Sequence, residues 1–236
     1  MLEEKSLFGV FFGDELCWGC LPWQNLSTAV DTVRADLPRG DAILYYNEGY
    51  PVFAYSKCST GGDFDKNRTN FSYPHVPTGL DWISLDYYPD EGTLLGAPKL
   101  YSEHVYPKMS GDQRALFVPP AYGCNTAACS NQICCNNNTR DGANVPCNGN
   151  CTIAMLQWAK GSYDWARSDP MIVGLNPWHF NVDSPAGPSG LGGPFEPGLA
   201  GMPALLAAYK AIGKEIVSGR QGDIDFTQFG LPHDLE

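Results

Sequence analysis

Basic residues are scarce: 15 Lys and Arg stand against 26 Asp and Glu, for a formal net charge of −11. Phosphate recognition needs clustered Lys and Arg, so nucleic acid and anionic membrane surfaces are poor partners for this chain. No apolar run approaches the roughly 20 residues of a membrane-spanning helix. The four histidines lie far apart without a His-x-x-x-His spacing, so no metal site is expected, at His179 or elsewhere. No Gly-rich phosphate turn follows any predicted strand, which argues against a dinucleotide-binding sheet, and no cofactor is expected. No segment repeats another, which excludes a solenoid. Charged residues make up only 17% of the chain against 43% hydrophobic, the balance of a chain that folds around a core. Its 236 residues suffice for one substantial domain or two small ones.

Cysteine, by contrast, is plentiful. Six of the nine (Cys124, Cys129, Cys134, Cys135, Cys147 and Cys151) crowd a segment rich in Asn and Gly that has no hydrophobic period. Their spacings lack the repeated Cys-x-x-Cys of a zinc ribbon, so local disulfides stapling a long loop at 123–151 are the expectation. Five Asn-x-Ser/Thr patterns, at Asn25, Asn67, Asn70, Asn137 and Asn150, accompany them. Together these features favour a secreted or lumenal glycoprotein. Met1-Leu2-Glu3-Glu4-Lys5 opens directly into an apolar run with no signal peptide, and the cysteine count is odd. The expectation is the C-terminal part of a longer secreted protein. Oligomeric state is not legible.

Five short apolar runs alternate with helical patterns: Leu7–Gly13, Ala42–Tyr46, Leu80–Tyr88, Arg114–Val118 and Met171–Leu175. Helices are predicted from Asn25 or Ser27 to about Asp36, across about 98–108, from Thr152 to about Arg167, and from Pro203 along a Leu205/Leu206/Tyr209/Ile212/Ile216 stripe. This alternation reads as βα units around a parallel sheet, an α/β fold. A complete eight-unit barrel takes about 250 residues. Five units with long loops therefore suggest the last five βα units of a (β/α)8 TIM barrel over residues 1–220, with the insertion at 123–151 and a tail at 221–236. A doubly wound open sheet is the alternative.

Each run empties into polar or aromatic residues: Asp14 and Glu15; Asn47 and Glu48; Asp86, Tyr87 and Tyr88; Pro119 and Tyr122; Asn176, Trp178 and His179. In a parallel barrel such strand ends gather at one mouth. Carboxylates, amides, phenols and an indole suit a carbohydrate substrate, because rings stack on pyranose faces while amides and carboxylates bond hydroxyls. Glycoside hydrolysis needs a protonated acid at the leaving oxygen and a second group to stabilise an oxocarbenium-like centre. Adjacent carboxylates such as Asp14 and Glu15 cannot ionise independently, so one is pushed toward the protonated form.

Gly13-Asp14-Glu15-Leu16-Cys17-Trp18 resembles the strand end of hexosaminidase-type glycoside hydrolase barrels, in which the substrate N-acetyl group assists. Asp86-Tyr87 and Trp178 resemble the sixth- and eighth-strand positions of chitinase-type barrels, although the order Asp86-Tyr87 is reversed. The resemblance implies Glu15 as general acid/base and Asp14 orienting the acetamido group. Asp86 or Tyr87 would assist, and Trp178 would floor a subsite. Asn47, Tyr88, Tyr122 and Asn176 complete the expected substrate-binding set. A conventional carboxylate pair, Glu15 with Glu48 as nucleophile, stays open. So do a carbohydrate-binding barrel without catalysis and a thiol-disulfide oxidoreductase built on Cys17-Trp18-Gly19-Cys20. Glu48 also admits a plainer role, bonding backbone amides or capping a loop.

Overall fold

The computed structural model describes residues 8–55, 58–60, 63–64, 73–86, 96–121, 152–178, 202–219 and 222–233. The elements run β1 Gly9–Asp14, α1 Trp23–Asp36, β2 Ile43–Gly49, α2 Tyr50–Tyr55, β3 Ser59–Thr60, β4 Asp63–Phe64, β5 Trp82–Asp86, α3 Gly96–Leu100, β6 Arg114–Val118, α4 Thr152–Ser168, β7 Ile172–Leu175 and α5 Pro203–Val217. The fold is α/β, with a five-stranded all-parallel sheet in the order β1-β2-β5-β6-β7. Strands β3 and β4 form a separate antiparallel pair. The five parallel strands enter the sheet in chain order, with no reversal of the kind that marks a doubly wound sheet. That order is compatible with part of a TIM-like fold.

Several boundaries moved for physical reasons. Helix α1 begins at Trp23, ahead of the predicted Asn25 or Ser27 caps, and has no side-chain cap. Pro22 precedes it with φ −59°, and its carbonyl accepts from Asn25 N at 2.9 Å, so the proline performs the turn into the helix. The predicted helix near 98–108 divides into α3, a π-helical turn Tyr101–Val105 and a 3-10 turn Tyr106–Lys108. Pro107 has no N–H to continue a regular ladder there. Helix α2 went unpredicted: six residues are too few to show a period, although Val52 and Phe53 are buried.

By compactness the chain forms two units, one of Met1–Tyr87, Ala97–Leu116 and Met171–Gly174, the other of Tyr88–Gly96, Phe117–Pro170 and Leu175–Glu236. In the first unit, alternate residues of β2 and β5 (Leu44, Tyr46, Ile83 and Leu85) are fully buried, as are Leu26 and Val30 of α1. Burial of each such side chain contributes about 1.5–3 kcal/mol. In the second unit, α4 buries Met155, Leu156 and Ala159, and α5 buries Leu205, Ala208 and Ile212. Ile216, predicted on the apolar stripe, is 45% exposed. The C-terminal segment is more than a tail within that unit. Phe226 and Leu231 are buried, and the Tyr163 hydroxyl donates to the Gly222 carbonyl at 3.0 Å.

Candidate functional site

The described part of the site lies in the first unit, at the carboxyl ends of β1, β2 and β5. Strands β1 and β2 pair in regular register as far as Phe11 opposite Tyr45, whose rings stack with centroids 5.1 Å apart. The next aligned pair is Asp14 opposite Asn47, so β1 advances three residues while β2 advances two. Gly13 sits at φ +134° within this bulge, a conformation open to glycine and strained for other residues. The extra residue reverses the alternation of β1. Asp14, which unbroken alternation would aim with Phe12, shares the face of Phe11, Tyr45 and Asn47 instead.

There a chain of hydrogen bonds crosses three strands. Asn47 Nδ2 donates to Asp14 Oδ1 at 2.6 Å, and Ser84 Oγ donates to Asn47 Oδ1. A serine hydroxyl has one proton, so the 2.5 Å contact between Tyr45 and Ser84 must be donated by the tyrosine. The order is Tyr45 to Ser84 to Asn47 to Asp14, and each group is held by its neighbour. Asp86 lies one alternation beyond Ser84 on β5, opposite Gly49 of β2.

Glu15 follows directly in a tight turn. Its backbone is left-handed, φ +48°, and its N–H donates to the Asn47 carbonyl at 3.1 Å. The turn closes through Gly19 N to Glu15 O at 2.7 Å and Leu21 N to Leu16 O at 2.9 Å. Its far end, Cys20, is disulfide-bonded to Cys58 with a Cα–Cα distance of 5.0 Å. The Glu15 carboxyl is half-buried and makes no hydrogen bond or ion pair among the described residues. Its position is set by packing: a Cβ placed on Gly49 would lie 3.1 Å from Glu15 Oε1 and 3.2 Å from Trp18 Cβ. Burial, and then the carboxylates of Asp86, Asp14 and Glu48, push the Glu15 carboxyl up to about 7 from an ordinary 4.5. At neutral pH it therefore retains a substantial protonated population, as a proton donor requires.

Asn47 and Glu48 cannot share a face, because neighbouring strand residues point to opposite sides. Asn47 joins the Asp14 network, while Glu48 is fully buried on the other side with Tyr46. Its Oε2 accepts from Cys17 N at 3.1 Å and from the Tyr46 hydroxyl. Its Oε1 accepts from Trp18 N at 2.9 Å and Gly49 N at 2.8 Å. Burial raises this carboxyl to about 7 even though all four donors favour its anion.

Cys17 is a buried free thiol, and burial followed by the charge of Glu48 pushes it up to about 12. That is the opposite of an activated thiolate. With Cys20 joined to Cys58, Cys17 and Cys20 do not form the pair that a dithiol oxidoreductase uses.

The structure thus brings together Asp14, Glu15, Asn47 and Asp86, with Glu48 behind them. Asn176 and Trp178 lie in the second unit, both exposed. There Trp178 N donates to the Pro119 carbonyl at 3.0 Å and Asn176 N to the Phe117 carbonyl at 2.8 Å. Tyr87, Tyr88, Tyr122, His179 and the cysteine-rich segment 123–151 fall outside the described residues. Sequence reasoning missed Ser84 and did not place Tyr45 or Tyr46 at the site. The signal was available in alternation: Tyr45 with Asn47, Tyr46 with Glu48. No family model, curated protein or solved structure matches the chain.

Proposed function

We propose that the chain is a glycoside hydrolase that cleaves O-glycosidic bonds, with Glu15 as general acid/base. The observation that supports this reading most is the state of Glu15. It is a half-buried carboxyl without a hydrogen-bond partner among the described residues, raised toward 7 by its surroundings and adjacent to a second carboxylate held by an amide. In the proposed reaction Glu15 protonates the leaving glycosidic oxygen as the bond to the anomeric carbon breaks. For an N-acetylated sugar, the acetamido oxygen closes on the anomeric carbon, oriented by Asp14. Glu15, now a carboxylate, then takes a proton from the water that opens that ring. Asn47 fixes Asp14 at 2.6 Å, and in this reading Asp86 contributes to binding the sugar.

The same reading makes the five parallel strands the last five of a TIM barrel, and places the protein in a secreted or lumenal compartment. The Cys20–Cys58 bridge is in keeping with that compartment. Closing the loop between these cysteines contributes about 3–4 kcal/mol by restricting the unfolded chain.

Turnover of aryl glycosides and chito-oligosaccharides by the wild type and by Glu15→Gln is the test. Loss of a positioned general acid is expected to lower turnover roughly 10²–10⁴-fold, with the thermal transition retained. Sugar binding with no turnover by the wild type would favour a carbohydrate-binding barrel. Turnover unchanged in Glu15→Gln would remove Glu15 from the chemistry.

A further inference from the structure

Glu48 is too well satisfied to act on a substrate. A carboxylate offers about four lone-pair directions, and the amides of Cys17, Trp18 and Gly49 together with the Tyr46 hydroxyl occupy four. Nothing in this arrangement leaves an oxygen lone pair for an anomeric carbon. What the carboxylate does hold is the turn at residues 15–20, from a strand 30 residues away in sequence. That turn needs holding. Glu15 and Cys20 are the only non-glycine residues at positive φ among those described, +48° and +67°, a backbone region strained for residues that carry a side chain. The disulfide to Cys58 anchors the far end of the turn, and Glu48 anchors the near end.

We propose that Glu48 is the positioning residue of this site: by gathering the Cys17 and Trp18 amides onto the end of β2, it fixes the turn that presents Glu15. The proposal rests on Glu15 being the proton donor, but the positioning itself can be measured without turnover. Groups facing the Glu48 carboxyl electrostatically are Glu15 and Cys17 on the turn, Tyr46 on β2 and Tyr73 ahead of β5. No cation is among them. In Glu48→Gln, the amide oxygen still accepts, but the amide nitrogen faces donors, so the clamp is halved without a change of volume.

The test uses the isotopically labelled full chain, comparing wild type, Glu48→Gln and Tyr46→Phe by carboxyl-carbon titration and amide hydrogen exchange. In Glu48→Gln the Cys17, Trp18 and Gly49 amides should exchange about tenfold faster or more, as hydrogen-bonded groups are released. The Glu15 carboxyl should titrate below the wild-type midpoint, because a neighbouring negative charge is gone and the turn admits more water. Tyr46→Phe should shift both readouts the same way by less, and it carries the test if Glu48→Gln does not fold. On a cleaved glycoside, kcat should fall roughly 10–100-fold with KM within about threefold, and azide should not restore it. Unchanged amide exchange and an unchanged Glu15 midpoint would overturn the proposal. Azide rescue with a glycosyl azide product would also overturn it, by making Glu48 the nucleophile. If Glu15→Gln leaves turnover intact, the hydrolase assignment fails while exchange and titration still decide the role of Glu48.

Discussion

The two ends of the parallel strands in the first unit treat carboxylates in opposite ways. At the amino ends, Asp81 sits between two guanidiniums: Arg34 Nη2 pairs with its Oδ2, and Arg39 Nη1 lies 2.9 Å from its Oδ1. The Leu44 amide adds a third bond at 2.8 Å, and Arg34 continues to the Gly79 carbonyl at 2.9 Å. At the carboxyl ends, Asp14, Glu15 and Glu48 make no ion pair among the described residues, and both glutamates are raised to about 7. One end spends its charges on holding α1, the β2 entry and the β5 entry together. The other end gathers Asp14, Asp86 and Glu48 around Glu15, and their charges help to raise it. In parallel α/β barrels the amino face serves stability and the carboxyl face serves chemistry; the proposed function would divide the carboxylates of this molecule along the same line.

The sharpest way to break that division is to exchange the effects of two substitutions. Asp81→Ala leaves Arg34 with an unpaired charge and is expected to cost about 2–4 kcal/mol, read by denaturant unfolding. The folded fraction should keep its turnover. Glu15→Gln should do the reverse, removing turnover while leaving stability at neutral pH unchanged or raised. If Asp81→Ala lowers turnover per folded molecule as deeply as Glu15→Gln, the two ends are not functionally distinct.

Acidity gives the next effect. Between the ordinary carboxyl value of 4.5 and about 7, the folded chain holds protons on Glu15 and Glu48 that the unfolded chain has released. Stability contributed by these groups is therefore present at low pH and falls as pH rises through that window. The thermal midpoint should be higher at about pH 5 than at about pH 8, and Glu15→Gln should flatten part of the slope. A Tm slope that Glu15→Gln leaves unchanged would mean that Glu15 titrates normally.

Gly49→Ala probes the packing that sets Glu15. A methyl group there meets the Glu15 carboxyl at 3.1 Å and Trp18 at 3.2 Å. Overpacking should cost about 1–2 kcal/mol, and displacing the acid should lower turnover about tenfold. The smallest expected effect belongs to Tyr45→Phe, which removes the first donor of the Tyr45–Ser84–Asn47–Asp14 chain. About 0.5–1 kcal/mol of stability should be lost, with turnover within about threefold. A larger loss of turnover would mean that the chain does more than hold Asp14.

Much of the scaffold was legible in sequence because strand and helix periods are local. The β6 run Arg114–Val118 occupies its predicted span, and α4 begins at Thr152 as predicted. Glu15 was legible as a special carboxyl because Asp14 is its neighbour in the chain. Asp86, which contributes more to raising it, arrives only through the β2–β5 pairing. The side taken by Asp14 was not legible, since it depends on a bulge that inserts one residue opposite β2. The role of Glu48 was open between chemistry and amide binding. Alternation from Asn47 would have turned it to the buried face, but the three amides it binds include two from a turn some 30 residues earlier. Long-range hydrogen bonds leave no periodic trace.

The most direct measurement of the central claim is the titration of the Glu15 carboxyl carbon in the wild-type chain, assigned by its disappearance in Glu15→Gln. A midpoint near 7 is predicted, with the folded state intact across the range. A midpoint near 4.5 would show an ordinary solvated carboxylate and would contradict its assignment as the proton donor.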